Sequence, residues 1–375
     1  MGDNARGPAE DGPPQYRFQV GDRVEANVGS FHPGTVVSIG YREAHWPPEK
    51  TVPYQIRLDE GPLIYAPFDE DRVVRAMPGH FVLQAAKAED PEAMMEALLG
   101  AGEDGLDTPD EEGKTALVVA AGASVEDVAL QLVGQLVAAG ASVNASDFEG
   151  NYPLHAAVRN SYRPVAKLLL DNGANIDCQS LSLTEYMGGN WHIVDGDSRY
   201  LEDAEKADKI RSVDNLDATP LMVALEEGDE GMAEFLLEGG ADVNVRGAAG
   251  KNALHVALEE GLMGIAGALL EKGADAMAGH KEMHGTLLHH YAGRGRVPYL
   301  KLLLRYVPQG AVDAQENMRG MTPLHLAAQR GKVPVCSLLI ASGASKTIQN
   351  ADGKTAEDLA RINGHTGVVE LLDAA

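Results

Sequence analysis

Apolar and polar positions follow one repeating arrangement over most of the chain. The segments GNYPLHAAV, DATPLMVAL, GKNALHVAL, GTLLHHYAG and GMTPLHLAA recur, and each is followed by paired leucines and then a glycine. Their aligned leucines are Leu154, Leu221, Leu254, Leu288 and Leu324, which are 67, 33, 34 and 36 residues apart. A near-constant period of this length indicates an array of stacked structural units, interrupted once where the interval doubles.

The unit that begins at Gly320 shows why the pattern predicts two short helices. Thr322 is placed to cap the first helix, and Pro323 fits its first turn, where a missing N–H costs nothing. Gly331 falls where a left-handed helix cap is needed, and Gly343 ends the second helix. Neither helix can bury its apolar face alone, so the pattern predicts that neighbouring units stack.

The T-P-L-H-x-A core, the LLxxGA segment and the period near 33 resemble the ankyrin-repeat family. The resemblance implies a mainly α solenoid of about eight units over residues 80–375. We expect a cap unit near 80–112, six units and a partial terminal unit, beginning at Gly113, Gly150, Leu216, Gly250, Gly285, Gly320 and Gly353. The terminal unit carries Glu357 and Asp358 where inner units carry Leu and His, as expected of a polar cap.

The doubled interval predicts an insertion at about residues 179–214. This segment lacks the paired leucines and holds Trp191, with Tyr186 and Tyr200 nearby. Insertions in repeat arrays map to one face and often bind partners, so Trp191 is a candidate contact residue. The alternative is that these aromatic side chains pin the insertion to its own scaffold.

Residues 16–78 have a different pattern and follow a predicted disordered tail at 1–15. Short β-rich runs such as RVEANV, GTVVSIGY and PYQIRL alternate with turns. Their order resembles small Tudor-like β-barrels, which implies binding of methylated Lys or Arg in an aromatic cage, here Tyr41, Trp46 and Tyr54. The alternative is that these rings fill the core of the barrel.

Charge and cysteine content limit the classes of partner. The chain has 31 Lys and Arg against 56 Asp and Glu, and the resulting charge of −25 opposes general binding to nucleic acid or anionic membrane. Two cysteines are too few for a disulfide framework, and the first residues contain no apolar run. We therefore expect a monomer in the cytoplasm or nucleus with protein partners.

No segment predicts catalysis, a cofactor or a metal site. Gly113-Lys114-Thr115 and Gly353-Lys354-Thr355 lack the earlier glycine of a phosphate-binding loop. His280, His284, His289 and His290 cluster, but no carboxylate or thiol completes a known ligand spacing. One His in each of four units, namely His155, His255, His289 and His325, occupies a position where the ankyrin resemblance implies a structural hydrogen bond across the turn. A non-enzymatic protein is expected.

The resemblance implies that partners bind the concave face, made from first-helix ends and hairpin tips. The charge of the side chains just before the inter-helix glycine changes sign along the array. It is positive at Arg159, negative in the next two units and positive again in the last two; the later residues are Glu226, Glu227, Glu259, Glu260, Arg294 and Arg330. The hairpin-tip candidates are Phe148, Met283, Met318 and Arg319. The acidic group favours a basic segment, unless it is simply a solvated face. We predict an interaction scaffold; the alternative is a chromatin-associated reader of methylated Lys or Arg.

Overall fold

A computed structural model describes most of the repeat region and parts of the N-terminal segment. The described residues are 20, 23–27, 31–41, 52–58, 62–66, 74–76, 79–100, 105–110, 112–180, 217–247, 250–279, 285–308, 310–316 and 318–373. The chain divides into two compact units, Met1–Asp147 and Phe148–Ala375. The first unit contains a small β-sheet and two helix pairs, and the second contains six helix pairs among its described residues.

The N-terminal strands form one antiparallel sheet with the order β4-β3-β2-β1-β5. The strands are β1 (Arg23–Asn27), β2 (Phe31–Tyr41), β3 (Val52–Leu58), β4 (Leu63–Ala66) and β5 (Val74–Ala76). Three central strands, β3, β2 and β1, carry most of the core, and the two shorter strands flank them. Alternate residues of these strands fill the core, namely Val24, Ala26, Val36, Tyr54, Ile56, Leu58 and Ala66.

This sheet is open, so the predicted closed Tudor-like barrel is wrong. Among the described strands, β4 pairs with β3 and β5 pairs with β1, and the two edge strands do not pair with each other. Closing a sheet requires tilted, staggered strands with enough ladder positions on both edges. Strand β4 has 4 residues and β5 has 3, which is too little backbone for that closure.

Sixteen α-helices follow the sheet in the described residues and form eight consecutive pairs, the number of units that the repeat pattern predicts. They are α1 (His80–Lys87), α2 (Pro91–Gly100), α3 (Ala116–Ala121), α4 (Glu126–Ala138), α5 (Pro153–Arg159), α6 (Arg163–Asp171), α7 (Pro220–Glu226), α8 (Glu230–Glu238), α9 (Ala253–Glu259), α10 (Met263–Glu271), α11 (Leu287–Arg294), α12 (Val297–Leu303), α13 (Pro323–Gln329), α14 (Val333–Ala341), α15 (Ala356–Ile362) and α16 (Thr366–Asp373). A 3₁₀ turn, Ala311–Asp313, precedes α13.

The ends of α13 and α14 confirm the predicted capping. The Thr322 hydroxyl accepts from the His325 N–H at 3.3 Å, and Pro323 occupies the first turn. Gly331 and Gly343 have φ of 68° and 92°, a left-handed conformation that a side chain disfavours. The sequence therefore ends each helix after about two turns, which keeps the units short enough to stack.

The apolar face of each first helix is buried against its neighbours. The aligned leucines Leu154, Leu221, Leu254, Leu288 and Leu324 are at most 1% exposed. First helices pack side by side, as α5 does on α7 and α7 on α9, and second helices do the same, as α12 does on α14. The stack predicted from the apolar pattern is confirmed.

A histidine in three of the first helices, α5, α11 and α13, links its own turn to the following unit, as the ankyrin resemblance implies. His325 Nδ1 accepts the Thr322 N–H at 3.2 Å, and His325 Nε2 donates to the carbonyl of Lys354 at 3.1 Å. The same two bonds recur at His155 and His289. Because one nitrogen accepts and the other donates, each ring must be neutral to make both bonds.

The two ends of the predicted insertion meet at one hairpin. The Ser180 N–H donates to the carbonyl of Ala218 at 3.2 Å, and the Ala218 N–H donates to the Ser180 hydroxyl at 3.1 Å. The Gln179 side-chain amide also donates to the carbonyl of Asp217. Units on both sides of residues 181–216 are therefore held in the ordinary repeat geometry. Trp191 lies outside the described residues.

Candidate partner-binding surface

The residues that precede the inter-helix glycines form a row of charges along the first helices. We call this row the charged stripe, and it consists of Arg159, Glu226, Glu227, Glu259, Glu260, Arg294 and Arg330. Gly228, Gly261 and Gly331 follow three of these helix ends in the left-handed conformation. Because the helices end at the same point of every unit, equivalent charged positions come to lie next to each other in adjacent units.

Carboxylates of two adjacent units face one another at the centre of the stripe. The pKa of Glu226 is raised to about 7, mainly by burial and also by the nearby charges of Glu227 and Glu260, against weaker opposition from Arg159 and Lys251. Glu226 Oε2 is buried and has no hydrogen-bond partner among the described residues. The centre of the stripe therefore places the exposed carboxylates of Glu227 and Glu260 near a carboxyl that resists ionisation.

Glu259 differs from the other stripe carboxylates because it has a partner within its own unit. Lys251 Nζ lies 2.8 Å from Glu259 Oε2, and both side chains are about one-third exposed. Glu259 also acts on the next unit: burial raises the pKa of the Tyr291 hydroxyl, and Glu259 raises it further. Tyr291 stacks on Tyr299 with ring centroids 4.7 Å apart, which fills the space beside the stripe.

The cations lie towards the two ends of the stripe. Arg159, Arg294 and Arg330 are all exposed. A Cβ placed on Gly293 would lie 2.9 Å from a terminal nitrogen of Arg330, so this guanidinium packs directly on the backbone of the preceding unit. The sequence pattern places these arginines, but it does not reveal that Gly293 makes room for one of them.

The predicted hairpin-tip residues that the structure describes are exposed. Phe148 is 56% exposed and Met318 is 66% exposed, and the side chain of Arg319 also faces solvent. Met283 lies outside the described residues. All four stay candidate contact residues, and Met318 and Arg319 share one tip.

The described residues of the predicted aromatic cage, Tyr41 and Tyr54, do not form a cage. Tyr54 is 0% exposed in the core of the sheet, where it pairs with Ile39 and Ala66. Tyr41 stacks on Tyr65 with centroids 5.3 Å apart, and Trp46 lies outside the described residues. A ring that is fully buried cannot receive a methylated cation, so the structure does not support the reader function.

The fold brings together one cysteine–histidine pair that is far apart in sequence. Cys178 Sγ lies 3.8 Å from His155 Nδ1, although 23 residues separate them. Burial raises the pKa of the thiol to about 12 and lowers the pKa of the imidazole to about 4. A nucleophilic cysteine needs a thiolate, so this pair is a packing contact between a protonated thiol and a neutral ring.

The histidines in the described part of the chain do not form a metal-binding group. His289 uses one ring nitrogen in a hydrogen bond within its own turn and the other in a bond to the following unit, and His280 and His284 lie outside the described residues. No group of three His, Cys, Asp or Glu suited to a metal ion occurs in the described part of the chain. Within the same residues, no helix has the length and apolar character needed to span a membrane.

Comparison with known proteins agrees with this architecture. The family described as "Ankyrin repeats (3 copies)" matches residues 82–180, 198–280 and 288–374, which is more than half of the chain. The chain belongs to the ankyrin-repeat family. The crystal structure of the ankyrin repeat domain of Bcl-3 is similar at a TM-score of 0.53 and 24% identity, covering 69% of this chain and 100% of that one. This likeness supports the ankyrin fold.

Several curated proteins match part of the ankyrin-repeat region. The human transient receptor potential cation channel subfamily A member 1 is 27% identical over 248 residues, 64% of this chain and 19% of its own length. The E3 ubiquitin-protein ligase KEG of Arabidopsis thaliana is 26% identical over 242 residues, 60% of this chain and 12% of its own. Human diacylglycerol kinase iota is 32% identical over 91 residues, which is 24% of this chain and 9% of its own length. The chain thus spans less than a fifth of these relatives.

Proposed function

We propose that the chain is a non-enzymatic scaffold whose ankyrin repeats bind a protein segment along the charged stripe. The observation that carries the proposal is that the exposed carboxylates of Glu227 and Glu260, from two adjacent units, lie near enough to Glu226 for their charges to raise its pKa. A Lys or Arg side chain of the partner neutralises this group at the centre. Acidic residues further along the same segment then pair with Arg294 and Arg330.

Electrostatics favour this arrangement over a merely solvated face. Glu227 and Glu260 are exposed, so a partner's ammonium or guanidinium group can donate hydrogen bonds to their carboxylates and relieve the repulsion that raises the pKa of Glu226. Charge-assisted bonds of this kind are about twice as strong as neutral ones. The sign change along the stripe fixes the direction and register of the bound segment.

The non-enzymatic part of the proposal rests on the state of the nucleophiles. The thiols of Cys178 and Cys336 are both buried, and burial raises the pKa of each to about 12. Both ring nitrogens of His155, His289 and His325 are used in structural hydrogen bonds. The relatives named as a channel subunit, a ligase and a kinase share only a minor part of their length with this chain, which favours a common binding role.

We further propose that the protein acts as a monomer in the cytoplasm or nucleus. Its two buried free thiols suit a reducing compartment. Trp191 in the insertion, together with Phe148 and Met283, supplies additional contacts in this proposal. Removing residues 181–214 then changes the set of partners without unfolding the repeats, since the bonds of Gln179 and Ser180 to Asp217 and Ala218 are kept.

The proposal is tested with two labelled peptides of twelve residues, one with four Lys spaced by Gly and Ser, the other with four Glu. Fluorescence anisotropy measures binding to the full chain and to the double variant Glu227→Gln/Glu260→Gln. We expect the basic peptide to bind the full chain. The double variant should bind this peptide about fivefold more weakly, because the substitutions remove the two accessible central charges.

A matched control separates the stripe from general attraction to an acidic protein. Glu234→Gln/Glu238→Gln removes the same charge from two exposed positions on the outer helix α8. This control is expected to change affinity less than twofold. Equal loss in both double variants means that the peptide responds to net charge, and it overturns the proposed site.

A further inference from the structure

Two adjacent units each place two cations around the glycine between their helices. We call these four side chains the basic cluster, and they are Arg294, Arg296, Arg330 and Lys332. The glycines that they flank are Gly295 and Gly331, both in the left-handed conformation. The preceding unit has Glu260 and Leu262 at the same two positions. The basic cluster therefore begins directly beside the acidic centre of the charged stripe.

Two glycines of the earlier unit make room for the cations of the later one. A Cβ on Gly293 would lie 2.9 Å from a terminal nitrogen of Arg330, and a Cβ on Gly295 would lie 3.0 Å from Cδ of Lys332. Both cationic side chains therefore lie against the backbone of the preceding unit, at the residues before and after Arg294. Because glycine and arginine alternate from 293 to 296, each cation of the later unit packs beside an arginine of the earlier unit.

The described part of the chain leaves the basic cluster without anionic partners. None of its four side chains forms an ion pair or hydrogen bond with another described residue. The following unit has Asn363 and His365 at the equivalent positions, so it adds no carboxylate there. Burial raises the pKa of the Tyr291 hydroxyl, whereas the charges of Arg294 and Arg296 lower it. Both guanidinium groups thus lie near enough to act on one phenol.

We propose that the basic cluster binds the phosphate group of a phosphoserine or phosphothreonine in the protein segment that occupies the charged stripe. This inference rests on the proposed function, because the segment places its Lys or Arg at Glu227 and Glu260 and its phosphorylated residue beside the next units. The phosphate oxygens accept hydrogen bonds from the three guanidinium groups, and Lys332 adds a fourth positive charge.

Charge and geometry favour a phosphate over the carboxylate of an Asp or Glu. A carboxylate brings one negative charge and two oxygens to four cations, so most of the cluster would stay unpaired. A phosphate monoester carries about −1.5 to −2 charges at neutral pH and has three acceptor oxygens. Guanidinium groups bind phosphate through two parallel hydrogen bonds, so arginines from both units can share one phosphate.

The acidic centre beside the cluster favours a narrow ligand over an extended anionic surface. Glu227 and Glu260 are exposed, and the whole chain has a formal charge of −25. A bilayer or a nucleic acid that reached the cluster would bring further phosphates onto these carboxylates, which repel them. A protein segment with a Lys or Arg followed by one phosphate matches both signs in order.

The test uses the peptide with four Lys, extended at both ends by Gly-Ser tails that each carry one phosphoserine, so its direction on the stripe does not matter. Two further versions have Ser or Glu at the phosphorylated positions. Fluorescence anisotropy with the full chain should show about tenfold tighter binding for the phosphorylated peptide than for the Ser peptide. The Glu peptide should gain less than about threefold, because a carboxylate pairs with fewer of the cations.

Variants of the basic cluster should remove the preference for phosphate. Arg294→Gln/Arg330→Gln and Arg296→Gln/Lys332→Gln are each expected to lower the ratio of the two affinities, phosphorylated over Ser, to below about threefold. Circular dichroism checks that both variants keep their helices. An unchanged ratio in both folded variants overturns the inference, as does a Glu peptide that binds as tightly as the phosphorylated one.

A matched control removes the same charge from another surface. Lys301→Gln/Arg305→Gln changes two exposed cations on and just after α12, outside the basic cluster. The affinity ratio should stay within about twofold of its value in the native chain, since neither residue flanks an inter-helix glycine. A loss equal to that of the cluster variants means that the phosphate responds to net charge, and it contradicts a site at the cluster.

A phosphorylated peptide with Ser in place of every Lys separates this inference from the proposed function. If the Lys peptide ignores Glu227→Gln/Glu260→Gln while this peptide binds and Arg296→Gln/Lys332→Gln abolishes its binding, the stripe is wrong and the phosphate site stands. If the Lys peptide responds to the stripe variant and phosphorylation adds no affinity, the stripe stands and the phosphate site is wrong.

Vesicles of phosphatidylcholine and phosphatidylinositol bisphosphate distinguish a lipid ligand from a protein ligand. The inference predicts that sedimentation with these vesicles is weak and is unaffected by Arg296→Gln/Lys332→Gln. If the vesicles bind through the cluster and the phosphorylated peptides do not, the site recognises a membrane lipid and the inference is overturned.

Discussion

At the scale of single residues, the side chain at one repeated position decides whether a unit can donate a hydrogen bond to the next unit. Buried His155 is held neutral by burial and makes one hydrogen bond within its own turn and one to the following unit. Asp358 occupies the equivalent position in the last described unit and accepts from the Thr355 N–H at 2.9 Å, as a histidine does. Aspartate has no donor to offer a further unit, so its chemistry suits an end of the stack.

Acid is expected to destabilise the array through His155. Burial lowers the folded pKa to about 4, against 6.5 unfolded, so its stabilising contribution is complete above pH 6.5 and is lost as pH falls towards 4. Between pH 7.5 and 5 the free energy of unfolding should fall by about 2 kcal/mol from this residue. Urea unfolding measures the loss, and His155→Asn should show a smaller pH dependence.

If the His155→Asn variant does not fold, an NMR titration of His155 in the native chain tests the same prediction. The imidazole C–H signal of His155 in the native chain should stay in its neutral position down to about pH 5. A midpoint near 6.5 in an NMR titration contradicts the account, since it means that the ring tolerates protonation in the folded state.

Glu226 is expected to weaken the fold at neutral and higher pH. Its folded pKa is raised, so the native carboxyl resists ionisation and the cost of ionising it appears as pH rises from 4.5 and is complete above 7. Glu226→Gln should therefore stabilise the protein at pH 8 by about 1 kcal/mol, allowing for its partial exposure, and leave it unchanged at pH 4.

Urea unfolding at pH 4 and pH 8 measures the effect of Glu226→Gln. Glu234→Gln, at an exposed position on α8, is the matched control and should change stability little at either pH. A variant that is equally or less stable at pH 8 than the native chain argues against crowding of carboxylates at the centre of the stripe.

At the scale of elements, the caps are predictable because they depend on local sequence. Thr322, Pro323 and Gly331 fulfil the roles expected of them, since each satisfies a helix end from within a few residues. The closing of the N-terminal sheet is not predictable in this way. It depends on whether distant strands meet, and neither β4 nor β5 carries a local signal that decides it.

The Thr322 cap is expected to contribute measurably to stability because Thr322 is fully buried. Thr322→Val keeps the shape but leaves the His325 N–H without an acceptor, and should cost about 1–2 kcal/mol. Thr322→Ser keeps the hydroxyl and should cost about half as much or less, for a lost methyl. Urea midpoints compare the two, and a Val variant as stable as the Ser variant contradicts a capping role.

At the scale of the whole molecule, the repeat period predicts the stack of units. The contacts between residues that are distant in sequence follow only from the fold. The pairing of Cys178 with His155 and the crowding at Glu226 bring together residues that the spacing alone does not connect. The charges of the stripe are readable from sequence once the units are aligned. Their mutual contact is readable only from the fold.

Reversing the central charges is the most direct test of the account. Titrating the Lys-bearing and Glu-bearing peptides against Glu227→Lys/Glu260→Lys at fixed salt compares both preferences in one variant. The account predicts that the basic peptide loses at least about tenfold in affinity and that the acidic peptide gains binding. Glu234→Lys/Glu238→Lys, with the same net charge, should do neither. Identical behaviour of the two double variants contradicts a binding site at the stripe.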